Sequence, residues 1–126
     1  MPINYFYNKE KALLLVPVEG EVSLNDVDRF MREITRSTEF SPMTKTIWDL
    51  RKSNLASLNT DFARKLISIR KKYPERFAAK VAFVADRDLS FGLLRTYEAL
   101  SSLELPQSMM VFRSLSQAEE WMLTGE

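Results

Sequence analysis

Asp49 and Arg51, then Asp86, Arg87 and Asp88, then Arg113 are the residues whose types and spacing could carry chemistry, because each group ends a short apolar stretch of strand character. In open parallel sheets ligands gather at the C-terminal ends of the strands, so Asp49, Arg51 and Asp86 are candidates for the polar rim of a site. A plain Asp49–Arg51 ion pair is the competing reading. Two carboxylates at a suitable separation are enough for glycoside hydrolysis. Asp86 and Asp88 nevertheless flank the start of an expected helix, where acids serve as caps and complement the helix dipole. The chain has no histidine and no cysteine. That removes the serine–histidine–aspartate and cysteine–histidine nucleophiles and the nitrogen and sulfur ligands on which zinc sites mostly rely, leaving only oxygen-ligand metal sites. Glycine occurs only at Gly20, Gly92 and Gly125, too sparsely to build a GxGxxG fingerprint or a phosphate loop. No catalytic residue, resident metal or cofactor is expected, and the chain reads as a binding module rather than an enzyme.

The large, pliable side chains are a second resource: eight Phe, six Met, four Tyr and two Trp. Phe91, Leu94, Tyr97, Met109, Phe112, Trp121 and Met122 fall on elements expected to be neighbours at one end of the fold. Such a cluster is either ordinary core or, where packing is incomplete, an apolar pocket with a few polar groups, the usual form of a small-molecule site. Methionines would let such a pocket adapt.

Charge is nearly balanced overall, at +1, but unevenly placed. Residues 60–80 carry Arg64, Lys65, Arg70, Lys71, Lys72, Arg76 and Lys80 against Asp61 and Glu75. The simplest reading is a solvated helix whose C-terminal cations complement its dipole. The functional reading is a membrane-surface helix, with Phe62, Leu66 and Ile69 turned to apolar material and Arg64, Lys65, Lys71 and Lys72 towards anionic headgroups. Nucleic acid is not expected, since the net charge is small and no aromatic–basic strand motif appears.

The elements that must position these residues follow from periodicity. Residues 2–8 and 11–19 are strand-like and flank the turn Asn8-Lys-Glu-Lys11, a β-hairpin without glycine. Leu24, Val27, Phe30, Met31 and Ile34 recur at helical spacing behind Ser23, with Asp26 at the capping-box position. Thr46–Leu50 reads as a strand, and Thr60–Tyr73 as a helix stopped by Pro74. Ala79–Ala85 is nearly all small or apolar, Lys80 apart, as a strand covered on both faces is. Leu89–Ser101, capped by Asp88 or Ser90, is the next helix, Met109–Arg113 the last strand, and Ser116-Gln-Ala-Glu119 a capping box opening a final short helix with Trp121 and Met122. Residues 1–126 thus read as one α/β domain in the order ββαβαβαβα: an N-terminal hairpin, then βα units joined by right-handed crossovers, giving a largely parallel five-stranded sheet with helices packed on it.

Ile47-Trp-Asp-Leu-Arg51, Ala79-Lys-Val-Ala-Phe-Val-Ala-Asp86, the run from Leu89 to Leu100 and Val111-Phe-Arg-Ser-Leu-Ser-Gln-Ala-Glu-Glu-Trp121, taken in this order, resemble the STAS and SpoIIAA-like group, whose fold neighbourhood includes the CRAL-TRIO lipid-binding domains. The resemblance covers nearly the whole chain and lies in pattern rather than in an active-site motif. It implies a STAS-like fold. Anti-sigma-factor antagonists of that group carry a phosphorylated serine beside an aspartate just beyond the strand that here is Thr46–Leu50. This chain has Asp49-Leu-Arg-Lys-Ser-Asn54 there, and neither Ser53 nor Ser57 matches that motif. The expectation is a non-catalytic module for a small apolar ligand or lipid, with peripheral contact to an anionic membrane surface. The alternative is a regulatory protein–protein interaction module, binding a protein partner or a second copy, with Tyr5, Phe6 and Tyr7 of the hairpin as docking surface. The longest apolar run, Ala12–Val18, is far short of a bilayer span, and no secretory signal is visible, so a cytoplasmic protein, peripheral at most to the inner face of the membrane, is expected.

Overall fold

In the computed structural model, residues 3–124 are described; Pro2, at the start of the expected first strand, and Gly125 lie outside them. The strands are β1 (Phe6–Asn8), β2 (Leu13–Gly20), β3 (Lys45–Ser53), β4 (Val81–Val84) and β5 (Met109–Phe112). The helices are α1 (Leu24–Arg36), α2 (Thr60–Lys71), α3 (Asp88–Ser102) and α4 (Leu115–Met122), with a 3₁₀ turn at Pro74–Arg76. The strands lie in chain order, β1 antiparallel to β2 and every later pair parallel.

An order that never reverses has a consequence for the helices. Right-handed crossovers that always step the same way leave every crossover helix on the same face of the sheet. α1, α2 and α3 accordingly share one core cluster with Val16, Leu50, Phe83 and Val111. α4 follows the last strand, has no crossover to make, and covers the opposite face with Ile47, Ala82, Val84 and Met122.

Local signals explain most boundaries. Ser23 Oγ accepts from the Asp26 amide at 3.1 Å at the start of α1, and Asn59 Oδ1 accepts from the Phe62 amide at 2.9 Å at the start of α2. α2 ends at Lys71, two residues short of the expected Tyr73, and Pro74 opens the 3₁₀ turn instead. β3 outruns Thr46–Leu50 because β2 pairs with it to the end, Gly20 opposite Ser53, across a register shift between Pro17 and Glu19. Two expected caps move. α3 begins at Asp88 behind Arg87 with no side-chain cap, so neither Asp88 nor Ser90 caps it. α4 is capped by Ser114, whose Oγ accepts from the Gln117 amide at 3.3 Å, rather than by Ser116.

Candidate ligand site

The sheet face beneath α1, α2 and α3 is not completely filled. A cavity of about 110 Å³ lies there. α2 contributes Phe62, Leu66 and Arg70 to its wall, α3 contributes Leu94 and Tyr97, and the sheet contributes Trp48, Leu50, Val81, Phe83 and Met109. Positions 62, 66 and 70 form an i, i+4, i+8 row, and rows of that spacing share a helix face. Trp48 and Leu50, like Val81 and Phe83, are two apart and therefore point to one side of the sheet.

The cavity has two chemically different ends. Its mouth is at the C-terminal edge of the strands, where exposed Glu21, Asn54 and Ser57 stand just beyond β2 and β3, with Val22, Leu55 and Leu58 behind them. Its floor is at the N-terminal edge, where Arg70, Arg76 and Gln107 line it. Arg70 is 8% exposed and Arg76 3% exposed. Arg70 Nη1 donates to Tyr97 Oη at 2.9 Å and to Ser101 Oγ at 2.7 Å, and its Nη2 donates to Gln107 Oε1 at 2.6 Å. Gln107 is held for this by its own Nε2, which donates to the carbonyls of Arg76 and Ala79 at 2.8 and 3.0 Å. Arg76 donates to the carbonyls of Pro42 and Thr44 and to Thr46 Oγ1, while its Nε has no partner among the described residues. Burial, reinforced by the neighbouring Arg70 charge, lowers the Arg76 pKa to about 10. Burial raises the Tyr97 phenol, so Arg70 meets it as a neutral hydroxyl.

The seven residues expected to line one apolar pocket do not meet. Leu94, Tyr97 and Met109 line the cavity. Met122, on α4, is packed against the opposite face of the sheet, where Phe112 and Trp121 join the same cluster. Phe91, Phe112 and Trp121 border a separate open groove at the β5 edge, with the Arg113 guanidinium 4.3 Å from the centre of the Phe91 ring. The physical reason is strand parity: Met109 and Phe112 are three residues apart, which places them on opposite faces.

The polar rim is displaced for the same reason. Asp49, Arg51 and Asp86 do come together, around a surface depression with Pro17, Val18, Glu19 and Lys52. Asp49 and Arg51 share the parity of Ile47, however, which faces α4, whereas Trp48 and Leu50 face the cavity. Arg51 grips Asp49 with Nε at 2.8 Å and Nη2 at 2.7 Å, and this pair holds the Asp49 carboxyl below the usual range. Asp88 is bound by Arg113 Nη1 at 2.8 Å, and Arg87 Nη2 donates to the Ser53 carbonyl at 3.1 Å. These strand-end groups are largely occupied with one another. Among the described residues no group of three or more acidic side chains is placed to hold a metal ion.

The basic helix is also corrected. Phe62 and Leu66 line the cavity, and Ile69 packs against the core, so the stripe expected to face lipid is turned inward. Of the exposed cations, Lys65 pairs with Asp61, Lys71 with Glu104 and Lys72 with Asp28, while Arg64 has no acidic partner among the described residues. No helix among the described residues is long and apolar enough to cross a membrane. Ser53, beside the position of the group's phosphoserine, is 1% exposed and its Oγ donates to the Gly20 carbonyl at 3.0 Å.

Sequence reasoning missed Trp48, Gln107 and both buried arginines as site residues. By composition Arg70 is simply one cation of the basic run at residues 60–80. Its signal was position, since it continues the Phe62–Leu66 row into the interior.

Neither a protein-family model nor a curated protein sequence matches the chain. Among solved structures it is similar to an uncharacterized protein of the DUF3478 family with a SpoIIAA-like fold from Shewanella loihica PV-4, at 14% identity and a TM-score of 0.62, over 95% of this chain and 91% of that one. At this identity the likeness shows the fold alone. The chain has a SpoIIAA-like α/β fold, as the order of its elements had implied.

Proposed function

We propose that the chain is a non-catalytic binding module that holds a small apolar ligand, or the apolar part of a lipid, in the cavity between the sheet and α1–α3. The observation that carries this reading is the cavity itself, about 110 Å³ of space in an interior of a kind that normally closes to crystal-like density. A cavity of about 150 Å³ lined by apolar side chains stays dry and takes up benzene. The smaller volume here favours a ring or a short alkyl segment, with any longer tail leaving through the mouth at Asn54 and Ser57.

The test is titration of the protein with 1-octanol, followed by the methyl resonances of Leu66, Leu94 and Met109. Saturable shifts at these three are expected, and no saturation at accessible concentrations would overturn the reading. Leu66→Phe is expected to abolish the shifts while leaving stability nearly unchanged, because the larger side chain enters open space. In a close-packed core the same enlargement destabilises by about 1–3 kcal/mol, and that outcome would also count against the cavity as a site.

The hairpin offers a second reading. Phe6 is 63% exposed on the edge strand β1, and an edge carrying an apolar side chain suits pairing with a protein partner or a second copy. Tyr5 and Tyr7 do not add to that surface, because they alternate inward and pack against Phe40. Phe6→Ser is expected to remove any association seen by sedimentation without changing octanol binding.

A further inference from the structure

Among the described residues, the floor of the cavity carries positive charge without a counter-charge. Neither Arg70 nor Arg76 forms an ion pair with any described carboxylate, and every hydrogen bond that either guanidinium donates ends on a neutral group. A buried charge is normally paired, because an uncompensated one is strongly penalised in a low-dielectric interior. Arg70 also has donors to spare. A guanidinium carries five N–H groups, and the three bonds to Tyr97, Ser101 and Gln107 use three of them. The remainder are at Nε and Nη2, a pair through which a guanidinium can take both oxygens of one carboxylate.

The other end of the site sets the rest of the ligand. Phe62, Leu66 and Arg70 succeed one another along α2, so the wall runs from apolar near the mouth to cationic at the floor. We propose that the ligand is a small amphiphilic monocarboxylate, its carboxylate held by Arg70 and its hydrocarbon part lying against Leu66 and Phe62 towards the mouth. This rests on the cavity being a binding site, as proposed above, and adds the chemical class of its occupant. A phosphate dianion is a poorer match. It presents more oxygens than the free donors at Arg70 can meet, and the uncommitted donors of Arg76, at Nε and Nη2, are on a side chain only 3% exposed.

The experiment compares octanoate with 1-octanol, equal in chain length and different in charge, by titration calorimetry. A hydrogen-bonded charge contributes about 1.5–3 kcal/mol, so octanoate is expected to bind about tenfold to hundredfold more tightly than octanol. Arg70→Met is expected to erase that preference by weakening octanoate while leaving octanol unchanged. Equal affinities for the two compounds in the unaltered protein would overturn the carboxylate assignment and leave the apolar site standing. Failure of both to bind would overturn the site as well. A preference for octanoate over octanol that survives Arg70→Met would overturn the assignment of the carboxylate to Arg70, and acetate binding as tightly as octanoate would overturn the amphiphile. If Arg70→Met does not fold, the unaltered protein still decides the matter. Octanoate is expected to shift the Arg70 Nε–H resonance where octanol does not, and an unmoved resonance at saturating octanoate would overturn the proposal.

Discussion

At Ala12 the backbone sits at φ 49°, because the hairpin closes on Asn8-Lys-Glu-Lys11 without a glycine. Asn8 Oδ1 steadies the turn by accepting from the Lys11 amide at 3.1 Å. The left-handed conformation costs a residue with a Cβ about 1–2 kcal/mol. Glycine avoids that strain but loses more entropy on folding, so Ala12→Gly is expected to stabilise by a net of about 0.5–1 kcal/mol. Urea unfolding measures it, and a lowered midpoint would contradict the assignment of strain to this residue. The Asp49–Arg51 pair was legible at this scale, since opposite charges two apart on a strand share a face. Arg70 was not, because residue type alone places a cation on the surface; only its place in the Phe62–Leu66 row spoke for the interior, and tertiary packing decided it.

Among the elements, the hairpin, the alternation of strand and helix and the largely parallel sheet could all be read from hydrophobic period. The grouping of side chains into sites required parity and crossover direction as well. Met109 and Phe112 look adjacent in sequence and are separated by the sheet, and the position of α4 follows only once the strand order is known. The junction of α1 and α2 was invisible to periodicity because it is made by polar groups. Asp28 accepts from Tyr73 Oη at 2.6 Å, pairs with Lys72 at 2.9 Å and meets Arg32 at 3.2 Å. These interactions, the Tyr73 bond first and Lys72 second, lower its pKa from the ordinary 3.8. A carboxylate lowered in the native state contributes stability that is fully present above its unfolded pKa and lost as pH falls through the native value. Asp28→Asn is therefore expected to destabilise by about 1 kcal/mol near neutral pH and to narrow its difference from the unaltered protein as pH falls below 3.8. Urea midpoints across that range measure it, and a difference that does not change with pH would show that charge plays no part.

For the whole molecule, the two buried guanidinium groups set ligand binding against stability. Arg70→Met leaves Tyr97 Oη, Ser101 Oγ and Gln107 Oε1 without their donor, a loss of about 1–3 kcal/mol for each buried polar group. It also removes a buried cation that has no counter-charge among the described residues, whose desolvation penalty is several kcal/mol, and it puts an apolar side chain of similar length against Leu66 and Tyr97. The two effects are of similar size and opposite sign, so the ligand-free variant is expected to melt within a few degrees of the unaltered protein. Ligand separates the two. Octanoate at a hundred times its Kd adds about 2.7 kcal/mol to the form that binds it, which for a chain of this length raises the midpoint by roughly 10 °C. That rise is expected for the unaltered protein and not for Arg70→Met. Melting curves with and without octanoate separate the alternatives: if Arg70→Met lowers the ligand-free midpoint by roughly 10 °C, Arg70 serves chiefly to tie α2 to α3 and Gln107, and its charge is not carried for the sake of a ligand.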